Sequence, residues 1–466
     1  MKTPIYITGS LLLAAIIYAV YITLPVSDAG MQMMGVLGFV QLFYSLFSWY
    51  KVTRLALSPY IVFLVAAYVF TYGQSFLCII GKVNPEYDLT ELFLPSSIMP
   101  AQLVTLMFLN FFHIGAMLSN KGNRRRINLT MQSDERYRYN QVRGIRKVGK
   151  LFLWISVIPY IVDRISVLLV VLSYGYTGIY MQEEKIGIFN IVNILSQYFI
   201  PGVLCLLLVE TSKSRRRLYV FLLVFEMCFW LYTGGRSNGV IIAAILLMYY
   251  HICVKPIRFN QAVIVAVAGF FFVSLLGVIA ETRSDSDADL SEAISKGFGD
   301  SNAFYAAVSE MGFSQYPMTA TMELIPEMYD YRYGSSYFYA LTSVIPNLGF
   351  WDLHPAMKYG NMNAWLQNAM NLNFGPGYSI VAEAYANFGN FGFLVMLLLG
   401  YCYGLIFNVN EGNRKNPLLL VLSFIFCFLV IKTVRNSFLA TVRSLFYYIL
   451  PIYLIVVYYY KGKLIK

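Results

Sequence analysis

Long apolar stretches separated by short polar ones run through the chain from its first residues. Twelve of them approach or reach the roughly 20 residues that carry a helix across the hydrocarbon core of a bilayer. They lie at 5–24, 31–49, 60–80, 98–118, 151–172, 188–209, 218–232, 237–253, 262–280, 387–407, 417–431 and 445–460. The first follows a single Lys2 and is longer than the roughly 7–15 apolar residues of a secretory leader, so it is read as a retained span. This pattern predicts an all-α polytopic membrane protein of about twelve transmembrane helices: spans one to nine within 1–280, one large external loop at 281–377, and spans ten to twelve within 378–466. Inside the loop, short helices are expected at 302–311, 318–324, 336–344 and 362–370, broken at Pro317, Pro326, Pro346 and Pro355.

Composition agrees with the pattern. The chain is 58% hydrophobic and only 13% charged, with a mean hydropathy of +0.60, which excludes a water-soluble enzyme, a disordered regulator and a nucleic-acid binder. Its net charge of +11 is an orientation signal rather than a mark of an anionic polymer partner. Of 35 Lys and Arg residues, 24 fall on alternate loops, ten of them between Lys121 and Lys150. That side is therefore cytoplasmic and both termini lie inside. The six cysteines fall within or beside apolar runs, which points to small core residues and not to a disulfide framework or a thiolate metal site.

Cations on the disfavoured side carry the candidate chemistry. Arg236, in Thr233-Gly234-Gly235-Arg236-Ser237, occupies a tight external turn where the two glycines allow close backbone approach and the guanidinium offers a planar fork to a phosphate. Lys432, Arg435 and Arg443 form a second group. The 44 residues of 417–460 would make a helix of about 66 Å, against a core of about 30 Å, so the chain must turn near these three. Arg283, in Glu281-Thr282-Arg283-Ser284, is a further candidate, or else a partner of its acidic neighbours. Together they describe an outward-facing anion site at the membrane surface, and its natural ligand is a lipid-linked diphosphate. Asp285, Asp287 and Asp289 lack the glycine and terminal Glu of a calcium loop, so no metal site is assigned. Asp163 and Arg164 in span five and Glu226 in span seven are costly in lipid and are expected to form an interhelical ion pair. His354, in Trp351-Asp352-Leu353-His354-Pro355, is either a general base or a loop residue.

The stretch Gly375-Pro376-Gly377-Tyr378-Ser379-Ile380-Val381-Ala382-Glu383-Ala384-Tyr385-Ala386-Asn387-Phe388-Gly389-Asn390-Phe391-Gly392, just before a span, resembles bacterial Wzy-type O-antigen and oligosaccharide repeat-unit polymerases. So do the Gly-Gly-Arg-Ser turn, the Glu-Thr-Arg segment, the late external loop and the twelve-span plan. The resemblance implies a multi-span, lipid-dependent glycosyltransferase of GT-C-like architecture, related to the O-antigen ligases and working without cofactor, nucleotide sugar or metal. It implies a bacterial inner-membrane protein whose active face is external. The donor would be a growing glycan on undecaprenyl diphosphate, and the acceptor the non-reducing sugar of a new lipid-linked repeat unit. Membrane lipids, a flippase and a chain-length regulator would be its further partners.

Carried onto this chain, the family's basic residues are Arg236, Arg283 and Arg435, with Arg443 added. Lys432, Gly234 and Gly235 complete the diphosphate site, and Glu383 and His354 are the candidate bases, with Asp352 behind them. Glu383 has an equal claim as a helix cap or ion-pair residue. Two rival functions share the architecture: an O-antigen ligase with a different acceptor, and a non-enzymatic flippase. A transporter of that kind favours internal repeats and ionisable residues through the midplane, whereas here no repeat is evident and the cations concentrate at the outer boundary, on the face covered by one large loop.

Overall fold

The computed structural model describes residues 3–130, 135–174, 188–233, 235–258, 260–261, 263–265, 267–269, 302–345, 347 and 351–461. Among the described residues every regular element is helical. Ten helices there are long and apolar enough to cross a membrane: Thr3–Thr23, Asp28–Thr53, Pro59–Cys78, Pro95–Asn120, Arg138–Tyr174, Ile191–Val209, Ser237–Val254, Ile380–Ile406, Pro417–Arg435 and Leu439–Tyr458. Two of the twelve expected spans are not among them. The stretch 218–232 lies in a helix, Lys213–Tyr232, but four of that helix's first five residues are cations and it also carries Glu226. The stretch 262–280 falls almost wholly outside the described residues.

Local chemistry fixes several boundaries. The Ser27 hydroxyl accepts from the Gly30 amide ahead of Asp28–Thr53, and Ser58 accepts from Ile61 while Pro59 supplies the preset first φ of Pro59–Cys78. Among the described residues of 281–377 the helices are Asn302–Gly312, Tyr316–Leu324, Ser335–Thr342, Pro355–Tyr359 and Met362–Ala369. Four of these match the expected ones. Pro317 and Pro355 begin helices instead of breaking them, since a first-turn amide has no carbonyl to bond. Pro346 lies outside the described residues.

The chain forms two compact units, each assembled from non-consecutive segments. The first comprises Met1–Gln132, Tyr305–Glu411 and Leu429–Tyr447. At its centre, Pro95–Thr130 and Gly392–Ile406 touch backbone to backbone: a Cβ on Gly400 would lie 1.9 Å from the Phe112 carbonyl oxygen, and one on Gly115 2.0 Å from that of Leu397. Small residues permit this approach where lipid supplies no hydrophobic incentive for association. Beside it, Trp49 stacks on Tyr60 at 3.9 Å, and the buried His113 ring is held by Ser48 at 2.8 Å and Tyr60 at 2.9 Å.

The second unit comprises Ser133–Phe304, Gly412–Phe428 and Tyr448–Lys466. Here the ion pair expected from sequence is present and fully partnered. Arg164 Nη2 lies 2.8 Å from Glu226 Oε1, and its Nη1 lies 2.8 Å from Asp163 Oδ2. Glu226 also accepts from Trp230 Nε1 at 2.8 Å and from the Tyr160 hydroxyl. The Arg164 guanidinium lies over the rings of Tyr160 and Trp230.

Candidate functional site

The site in the first unit is built around the segment that leads from Gly375 into Gly392. Gly377 has φ of +74°, a conformation that suits glycine, and its neighbour Tyr378 donates its amide to the Arg435 carbonyl at 3.2 Å. A Cβ on Gly377 would sit 3.3 Å from Arg435 Cγ and 3.7 Å from its Nε, so the glycine lets the arginine side chain lie against the turn. The Ser379 hydroxyl then accepts from the Ala382 amide at 3.0 Å and starts the helix Ile380–Phe388, seven residues before the apolar run that sequence hydropathy marks.

Glu383 sits in the first turn of that helix with no exposed surface. Its Oε1 accepts from the Ser336 hydroxyl at 2.6 Å and its Oε2 from the Phe438 amide at 2.6 Å. One turn on, Asn387 donates to Ser336 Oγ at 2.8 Å and accepts from the Gly334 amide at 2.9 Å. One helix face thus ties together the loop segment Gly334–Ser336 and the turn before Leu439–Ser444. A buried carboxylate with both oxygens receiving hydrogen bonds is a strong fixing point, because charge-assisted bonds gain strength out of water.

That turn carries the cations. After Pro417–Val430 the chain tightens into a 3₁₀ segment, Ile431–Arg435, in which Thr433 and Val434 are fully buried while Lys432 and Arg435 are exposed. Arg443, on Leu439–Ser444, is also exposed and lies with Nη2 3.7 Å from Met357 Sδ. The helix bearing it packs through Leu439 and Val442 on Ala340 and Ala356. Of the residues singled out by sequence, Lys432, Arg435 and Glu383 therefore belong to one bonded neighbourhood, with Arg443 on the helix that follows.

The other candidates stand differently. His354 caps Pro355–Tyr359: its Nδ1 accepts from the Ala356 amide at 3.0 Å, which leaves Nε2 as the protonated nitrogen donating to the Ile345 carbonyl at 2.9 Å. Both ring nitrogens are thereby engaged with backbone. Arg236 is the first residue of Arg236–Tyr249 in the second unit, preceded by Gly235 as N-cap. Its side chain, like Gly234 and Arg283, lies outside the described residues, as do Asp285, Asp287 and Asp289. Among the described residues no three His, Cys, Asp or Glu side chains gather in a metal-binding group.

Sequence reasoning passed over Arg332, Trp365, Ser336 and Asn387. The amides of Arg332 and Tyr333 donate to the Ala386 and Asn387 carbonyls, each at 3.0 Å, at the end of Ile380–Phe388. The half-buried Arg332 guanidinium lies 4.9 Å from the centre of the Trp365 ring, whose edge meets the Tyr378 ring at 6.4 Å. Burial lowers the Arg332 pKa, with Tyr378 and Glu383 acting in the opposite sense. The one available signal was that Arg332 is another cation outside the Lys- and Arg-rich loops, but it lies far in sequence from any span boundary.

Searches of curated proteins and of solved structures found no match. The sequence profile of the family described as O-antigen polysaccharide polymerase Wzy matches residues 5–466, nearly the whole chain. The helices and this match together make the protein an integral membrane protein of polysaccharide biosynthesis, a glycosyltransferase-type polymerase acting on lipid-linked oligosaccharide repeat units. The residues around Glu383 and Arg435 thus stand in a chain that belongs to the O-antigen polysaccharide polymerase Wzy family.

Proposed function

We propose that the chain transfers a growing glycan from undecaprenyl diphosphate to the non-reducing end of a new lipid-linked repeat unit, on the outer face of the bacterial inner membrane. In this reading both termini are cytoplasmic and no metal takes part. The acceptor hydroxyl attacks the anomeric carbon of the donor as the bond from that carbon to the diphosphate oxygen breaks. Undecaprenyl diphosphate leaves with the bonding electrons, and the hydroxyl proton passes to water. Diphosphate needs no protonation to depart, so stabilising the charge that grows on it is the main electrostatic task. Lys432 and Arg435 perform it, with Arg443, Arg236, Arg283 and the Gly234–Gly235 turn as further contributors.

The observation that carries this reading is the exposed Lys432–Arg435 turn, with the Arg435 side chain seated against Gly377 and the following residues anchored on Glu383. Glu383 acts here as a positioning residue, since both of its oxygens already serve Ser336 and Phe438. His354 is a helix cap. The test is reconstitution: the purified chain, supplied with lipid-linked repeat units in detergent, should yield longer glycans. Arg435→Ala and Arg236→Ala should abolish elongation while the protein still accumulates, and Arg435→Lys should keep a fraction of it, as a point charge replaces a bidentate fork. Ladders of wild-type length from both alanine variants would overturn the assignment.

A further inference from the structure

Arg332 is held in place at some cost. Its amide and that of Tyr333 donate to the last carbonyls of Ile380–Phe388, and the chain then passes through two residues in the left-handed region, Tyr333 at φ +46° and Gly334 at φ +87°. For a tyrosine that conformation is uncommon, and such strain persists where surrounding bonds over-determine it. The Asn387 side chain accepting from Gly334 is one of those bonds.

The fixed side chain forms no ion pair among the described residues, and Glu383 acts on it only from beyond ion-pair distance. Among the described residues no carboxylate pairs with Arg332 and no side-chain acceptor bonds it; its contact is the Trp365 face. The half-buried guanidinium keeps its charge at any physiological pH and has up to five N–H donors that no protein side chain takes up among the described residues. Trp365 orients the planar group without consuming its donors, as a cation–π contact does. Arg332 also adjoins the site already described: Trp365 meets Tyr378, whose amide bonds the Arg435 carbonyl.

We propose that Arg332, oriented by Trp365, is a second oxyanion-binding residue, separate from the Lys432–Arg435 turn and placed on the external-loop side of the Gly377–Tyr378 turn. Polymerisation brings two lipid-linked diphosphates to one face of the membrane, donor and acceptor, and one cationic turn grips one of them. Arg332 takes an oxyanion of the saccharide-bearing substrate, either a phosphate of the second carrier or a carboxylate of an acidic sugar. The identity of the ligand rests on the polymerase reading; the existence of the anion site does not.

The test uses purified full-length protein in lipid nanodiscs carrying Arg435→Ala, so that the first site does not contribute. Inorganic pyrophosphate and glucuronate are titrated separately by calorimetry into this protein and into the same protein with R332Q or R332K added. A tenfold or greater loss of pyrophosphate affinity in R332Q, with glucuronate unchanged, identifies a carrier phosphate, and the converse identifies an acidic sugar. R332K should keep weaker binding of whichever probe is lost. Equal binding of both probes with and without R332Q, or no binding of either before it, overturns the proposal. Should R332Q fail to accumulate, Trp365→Ala decides in the same assay: affinity unchanged for both probes overturns the site, and a loss supports it. Elongation by the wild-type protein is followed in parallel, so a chain that binds these anions but lengthens no glycan refutes the polymerase reading alone.

Discussion

Arg164 and Arg332 are both arginines drawn out of water, and their surroundings are opposite. Arg164, in the second unit, is answered by Asp163 and Glu226, and Glu226 in turn by Trp230 and Tyr160, with aromatic rings covering the guanidinium. Nothing in that cluster is left for a ligand. Arg332, in the first unit, has a ring beneath it and, among the described residues, no carboxylate within ion-pair distance. The same residue type therefore serves two ends. A closed ion network pins helices where lipid would punish a lone charge, whereas an open one retains its donors for something that arrives from outside.

The contrast breaks most sharply at Glu226. Glu226→Ala strips Arg164 of its interhelical partner and leaves the Trp230 N–H unbonded, which should cost about 3–5 kcal/mol, the range for breaking a buried pair from one side. Loss of folded protein in detergent, followed by thermal unfolding, is the expected result. Stability like that of the wild type would mean that the cluster is not what holds the helices Glu135–Tyr174 and Lys213–Tyr232 together.

A smaller effect is expected at Ser336. Ser336→Ala removes one of the two bonds to the buried Glu383 carboxylate and a partner of Asn387, a loss of about 1.5–3 kcal/mol. Because those bonds anchor the loop and the turn bearing Arg435, elongation should fall in the protein that does fold. Unchanged elongation would show that the Glu383 network does not position the cations.

The least change in stability is expected at Arg332. Arg332→Gln removes a half-buried charge without an ion pair and keeps the backbone bonds that dock the loop, so unfolding should shift by no more than about 0.5 kcal/mol, as for substitutions that open no cavity and strand no buried polar group. Destabilisation on the scale of Glu226→Ala would erase the distinction between the two arginines.

Part of this was legible in the linear chain. Lys432 and Arg435 stand out as cations where an apolar stretch is too long to be one helix, and Glu383 stands out within the segment that resembles the polymerases. The Asp163, Arg164 and Glu226 pairing follows from what lipid does to isolated charges. Ser336 and Arg332 carry no such mark, since a serine and an arginine are ordinary in a polar loop, and Asn387, though within the same segment as Glu383, is one polar residue among several there. His354 drew notice as the external histidine, yet its ring nitrogens bond backbone nine and two residues away.

The sequence by itself determined that this is a helical membrane protein and where most of its spans run, because hydropathy acts over a few residues and is complete within each stretch. Which charges are neutralised was decided only by the tertiary structure. Ser336 and Phe438 reach Glu383 across 47 and 55 residues, and Glu226 reaches Arg164 across 62. Partners that far apart meet only when helices pack, so the difference between an arginine that is spent and one that is available is set by the fold.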